Sequence, residues 1–150
     1  MPQILSTIGY GCIIFLASAV GTYGFAIFMH APKRAWLPAS LIGGASYALY
    51  WALLQAGTYE PLAIFLGALL GSVLGQLCAR KMHMIASIFI LLAMIPLVPG
   101  LGLYRCMSHL AQGLYAQGVK DGVSAMMDIV MIAFGLGIGS YGMQLFRRRK

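Results

Sequence analysis

The sequence predicts an all-α integral membrane protein. It has five transmembrane helices, the fourth broken at a Pro-x-x-Pro-Gly motif, with the N-terminus outside and the C-terminus inside. Three observations predict this. First, 61% of the 150 residues are hydrophobic and only 9% are charged, where a soluble domain carries roughly 25% charged residues. The mean hydropathy is +0.86. Second, the apolar residues fall into repeated runs near the ~20 residues that a bilayer demands. Third, the basic residues cluster in the gaps between runs, at Lys33/Arg34, Arg80/Lys81 and Arg147-Arg148-Arg149-Lys150. The net charge of +7 therefore marks membrane flanks and not a nucleic-acid surface.

The chain is expected to form one transmembrane domain over 1–150, with spans at about 4–29, 36–55, 62–78, 84–104 and 123–146. Span one has no basic leader, and it is too long for a signal-peptide core, so it is expected to stay as a span. The turn His30-Ala31-Pro32-Lys33-Arg34 leads to span two, where Trp36 sits at the interface and Pro38 falls in the first turn. A short turn through Glu60 and Pro61 leads to span three. There Gly67, Gly71 and Gly75 stand at four-residue spacing and leave a flat strip for close helix packing.

Span four starts near Met84 and runs into Pro96, Pro99, Gly100 and Gly102, two prolines and two glycines within seven residues. Each proline removes a backbone donor and clashes with the turn before it, so a straight helix cannot continue. In lipid the freed groups need a protein partner or a polar cavity. Segment 105–122 is more polar, and two arrangements fit it: a short amphipathic helix on the outer surface, or the second half of the broken span. The sequence does not choose. Five spans put eight of the ten Lys and Arg residues on one side, taken as cytoplasmic.

Candidate functional residues follow from the break. Pro96, Pro99 and Gly100 read either as a structural kink or as an opened backbone that meets a solute. Tyr104 is placed to hydrogen-bond a solute carboxylate, or to sit at the interface. Arg105 is placed to attract a carboxylate, or to snorkel. Asp128 is the one acid well inside a span, roughly 8 Å from the start of span five at 1.5 Å per residue. It is a candidate proton carrier, with an interfacial salt bridge as the alternative. Ser124 shares its face. Glu60 reads as solvated, and Tyr47, Tyr50 and Trp51 as a packing or belt stripe. The three cysteines, Cys12, Cys78 and Cys106, read as small packing residues. His30, His83 and His109 lack metal-ligand spacing, so neither a metal nor a cofactor is expected. There is no nucleotide-binding motif and no nucleophile–base pair, so an enzyme is not expected.

The pattern Pro96-x-x-Pro99-Gly100-x-x-x-Tyr104 after an apolar half-helix resembles the signature of the threonine/serine exporter family. Ala19-Val20-Gly21 through Phe25-Ala26, Pro32-x-Arg34-Ala35 and Leu41-Ile42-Gly43-Gly44 resemble the first two spans of its short five-span membrane subunit. The resemblance implies a multi-pass subunit of the cell inner (plasma) membrane. It also implies export of small amino acids such as threonine and serine, or of small dicarboxylates, and a larger partner subunit of the same family. Five short spans enclose only a narrow path, so assembly with that partner or with further copies is expected. The rival readings are a non-transporting scaffold and a small channel.

Overall fold

The computed structural model describes residues 2–148, with side chains described for 9–143 and 145. The basic run Arg147–Lys150 lies outside the described side chains. Six α-helices account for nearly all of it: α1 (Pro2–Phe28), α2 (Lys33–Gln55), α3 (Glu60–Met82), α4 (Ala86–Met94), α5 (Gly100–Ala111) and α6 (Tyr115–Arg148). A 3₁₀ turn, Ile95–Leu97, follows α4. Helices α1, α2, α3 and α6 are each long and apolar enough to cross a bilayer. The α4 segment and α5 meet at a 49° bend and make a fifth crossing if taken as one broken span.

The pattern of side-chain size explains the packing. Helix α3 is the centre and touches α2, α4 and α6. A Cβ on Gly67 would lie 3.0 Å from the Ser46 carbonyl oxygen of α2, and one on Gly71 would lie 2.6 Å from Met94 Cε of α4. One on Gly75 would lie 3.2 Å from Ile90 Cγ1. The glycine strip of α3 thus faces both α2 and α4. The opposite seam is made by glycines of α6: a Cβ on Gly135 would meet the Phe65 carbonyl oxygen at 2.7 Å, and one on Gly139 would meet Ser72 Cβ at 2.8 Å. Close backbone approach replaces the hydrophobic drive that lipid does not supply. Phe89, Leu92 and Ala93 fill the space that remains, at 0–1% exposure.

Two element boundaries differ from the sequence expectation. Helix α2 begins at Lys33, so Pro38 is inside it and not in its first turn. Segment 105–122 is neither a single surface helix nor wholly the second half of span four. Residues up to Ala111 belong to α5, and α6 begins at Tyr115, eight residues before the expected 123. Gly113, at φ 76°, ends α5. The Leu114 N–H donates to the His109 carbonyl and the Gly113 N–H to the Leu110 carbonyl, a Schellman close. The near-helical apolar spacing across 105–122 was real on both sides of this turn, but a left-handed glycine divides it.

Helices α3 and α6 run parallel, with Ala68 beside Gly135 and Ser72 beside Gly139. Counting back from these pairs at 1.5 Å per residue, α6 starts about 18 Å beyond the start of α3. The α5–α6 hairpin fills that extension. Helix α5 leans on α6 through small residues: Gly102 faces Ala125, Gly118 faces Leu110 and Gly122 faces Cys106. No residue of α5 is fully buried.

Candidate functional site

Where α5 bends away from α4, the bundle leaves a cavity of about 310 Å³. Its floor is the break itself, from Pro96 through Gly102. The Val98 and Pro99 backbone carries the chain from the 3₁₀ turn into α5, with Pro99 as the residue before the first turn of that helix. The walls come from α2 (Tyr47, Tyr50), the start of α3 (Glu60, Ile64) and α6 (Asp121, Ser124, Ala125, Asp128), with Arg105 from α5. Depth is set by Leu97, which packs on Gly67, so the break lies between the middle of α3 and its Glu60 end.

Most of the candidate residues converge here. Pro96, Pro99, Gly100, Arg105, Ser124 and Asp128 all line the cavity. Tyr104 does not: it is 70% exposed on the outer side of α5, one helical step away from Arg105. Gly67, Gly71 and Gly75 lie behind the cavity, in the seams of α3 with α2 and α4. Asp128 is thirteen residues into α6 rather than five, because that helix starts at Tyr115. Even so, it stands level with the first turns of α3.

The cavity's electrostatics follow from which charged groups reach it. The chain has three acidic residues, Glu60, Asp121 and Asp128, and all three line this one cavity. Asp121 Oδ2 is 2.8 Å from His109 Nδ1, which ties α6 to α5. Tyr50 donates its hydroxyl to Glu60 Oε1 at 3.3 Å, a long bond that leaves the carboxylate with spare accepting capacity. Asp128 is 6% exposed, and its Oδ1 is buried with no hydrogen-bond partner among the described residues. A buried carboxylate oxygen left without a donor is costly, so it marks a place where a proton, a water or a cation is accommodated. Arg105 is the cavity's single cation from Lys or Arg.

Four polar lining residues were not expected at a site: Tyr47, Tyr50, Glu60 and Asp121. The alternation of spans already put them at one end, beside Asp128. What the sequence did not display was the bend of α5, which opens that end.

The match to known proteins covers most of the chain. The sequence model described as threonine/serine exporter, ThrE, matches residues 14–141. The chain belongs to that family. This exporter-family chain is accordingly a multi-pass membrane protein, and its family is one of transporters rather than enzymes. No solved structure gave a match. Among the described residues no group of three His, Cys, Asp or Glu side chains is placed to hold a metal ion.

Proposed function

We propose that this chain is the short, five-span subunit of a secondary exporter. Its solute, a small amino acid such as threonine or serine or a small dicarboxylate, rests in the cavity at the break between α4 and α5. Asp128 carries the coupling proton. The single observation that supports this most is the meeting of an interrupted helix with a buried, unpartnered carboxylate at one cavity. Unwound backbone offers carbonyls and N–H groups to a solute, and an ionisable group held in a membrane segment is retained for function. Ser124 adds a hydroxyl on the same wall.

The charge layout supports an N-out/C-in orientation in the inner membrane. Lys33, Arg34, Arg80 and Lys81 lie at the end of the bundle away from the cavity, where Arg80 Nη2 donates to the Met143 carbonyl at 2.6 Å. The positive-inside rule makes this end cytoplasmic and the cavity open outward. In this reading the cavity is completed by a larger subunit of the same family, whose helices close the side that α5 leaves open.

Efflux from proteoliposomes holding this chain and the larger subunit tests the reading, with labelled L-threonine and succinate as probes. Asp128→Asn is expected to abolish the response of efflux to an imposed pH gradient. Pro99→Ala, which permits the helix to rewind, is expected to slow efflux roughly 10- to 100-fold, the scale of an ångström-level misplacement at a reacting site. If both variants export at the wild-type rate and keep the gradient response, the chain is a scaffold and the proposal is wrong.

A further inference from the structure

The cavity has an uneven charge. Three carboxylates face one guanidinium, and among the described residues only Asp121 has a side-chain partner of complementary type, His109. Glu60 and Asp128 remain. Glu60 is held by the Tyr50 hydroxyl, and the rings of Tyr50 and Tyr47 lie 5.5 Å apart on the same wall. The start of α5, from Gly100 to Gly102, also lines the cavity, with Arg105 about one turn further on. The acids therefore suit a cation, and the start of α5 with Arg105 suits an anion. Two acids beside aromatic faces attract an ammonium group, while a helix N-terminus beside an arginine attracts a carboxylate. The unpartnered Asp128 oxygen, more than nine-tenths buried, is the independent sign that something positively charged or protonated completes the acid wall.

We propose that Tyr50 and Glu60 form, with Asp128, an ammonium-reading subsite that makes the cavity select solutes bearing a free α-ammonium over those bearing carboxylates alone. The inference rests on the reading of this cavity as the solute site. It assigns the two free acids different tasks. Glu60, at the mouth and fixed by Tyr50, reads the ammonium. Asp128, deeper and unpartnered, holds either the ammonium or the coupling proton, so that one displaces the other. A small dicarboxylate would bring a second negative charge to a wall that already carries two, and is disfavoured.

The test is competition against labelled L-threonine in the same proteoliposomes, using unlabelled L-threonine and 2,3-dihydroxybutanoate, which replaces the ammonium by a hydroxyl. The wild type is expected to prefer threonine by about tenfold or more. Glu60→Gln is expected to weaken threonine about 10- to 100-fold, the worth of one charge-assisted hydrogen bond. It should leave the hydroxy analogue nearly unchanged and keep the response to a pH gradient. Tyr50→Phe, which retains the ring, should give a smaller loss in the same direction, and Glu60→Asp should restore part of the preference. A merely structural Glu60 would weaken both compounds equally, and that result overturns the inference. Equal competition by the two compounds at the wild type also overturns it, while leaving the proposed transport intact. A wild type that moves neither threonine nor succinate overturns the proposed function and this subsite with it.

Discussion

At one end of the molecule, helices α1 and α3 stop at His30 and His83; at the other, α2 and α5 stop at Gly57 and Gly113. All four residues adopt left-handed backbone, with φ between 52° and 80°. All four closes share one hydrogen-bond pattern: Ala31 to Ala26, Met84 to Ala79, Thr58 to Leu53 and Leu114 to His109. The histidine end also carries Lys33, Arg34, Arg80 and Lys81. The glycine end carries the three acids and the cavity. Between the two ends, from the level of Phe65 to that of Ser72, glycines of α6 bring its backbone into contact with α3. The glycine end is open, because α5 swings away by 49° and rests on α6 alone. The difference teaches that opening costs little secondary structure: between the 3₁₀ turn and α5, only Val98 and Pro99 leave helical geometry. It needs only that one helix change direction past a proline, while α3 and α6 stay in contact along their middle.

The largest effect should come from the mid-bundle seam that holds α6 against α3 while α5 bends away. A methyl group at Gly135 would meet the Phe65 carbonyl oxygen at 2.7 Å and the Leu69 nitrogen at 3.1 Å, and backbone cannot step aside. Gly135→Ala is expected to destabilise the fold by about 1–3 kcal/mol. Two residues on, Gly137 has nothing within 4 Å. Gly137→Ala should be neutral or stabilise by up to about 1 kcal/mol, because alanine is the better helix former. Thermal unfolding in detergent, followed by circular dichroism, reads both. At Gly71 the nearest atoms are Met94 Cε, the far end of a flexible side chain, and Ser46 Oγ, which turns only by giving up its bond to the Ile42 carbonyl; neither is backbone, so Gly71→Ala should cost less than Gly135→Ala despite a similar approach. Equal melting temperatures for the Gly135 and Gly137 variants would remove the basis for calling that seam tight.

Much of this layout could be read before the fold was known. Apolar length and the placement of basic turns announced the long helices. The two prolines announced a break. The four-residue glycine spacing announced close packing, though not that α2 and α4 share the strip. The cavity's aromatic wall was not legible. Tyr47 and Tyr50 look like any belt aromatics until the angle between α4 and α5 is known, and no local pattern encodes that angle. Tyr104 illustrates the converse. Its place in the motif suggested the site, but a helix turns 100° per residue, and Arg105 took the inward position. The division of 105–122 at Gly113 was also hidden, because the apolar spacing continued across the turn.

A second, smaller effect should come from exchanging the turn residues. A side chain in left-handed backbone costs roughly 1–2 kcal/mol where glycine costs nothing. Gly113→Ala should therefore destabilise by about 1–2 kcal/mol and loosen the α5–α6 hairpin. His83→Gly should stabilise the histidine end by a similar or smaller amount. The two changes are expected to have opposite signs in the same unfolding assay. Matching signs would mean that the histidines contribute contacts that outweigh their backbone strain, and the two ends would then differ in more than their cavity.

The smallest effect should come from the contact between His109 and Asp121. Among the described residues it is the one side-chain link between α5 and α6 of opposite charge type, and both side chains are about one-third exposed. Solvent screening limits such a pair to about 0.2–1 kcal/mol. His109→Ala is therefore expected to leave the melting temperature almost unchanged. Its consequence should appear instead at the cavity: Asp121 is freed to face inward as a third unpaired acid, and Arg105 becomes its nearest candidate partner. Hydrogen exchange should then rise in α5 and in the first turns of α6, with no change in α3. A rise spread evenly over the bundle would show that α5 was never a separately hinged element, and the contrast between the two ends would lose its mechanical meaning.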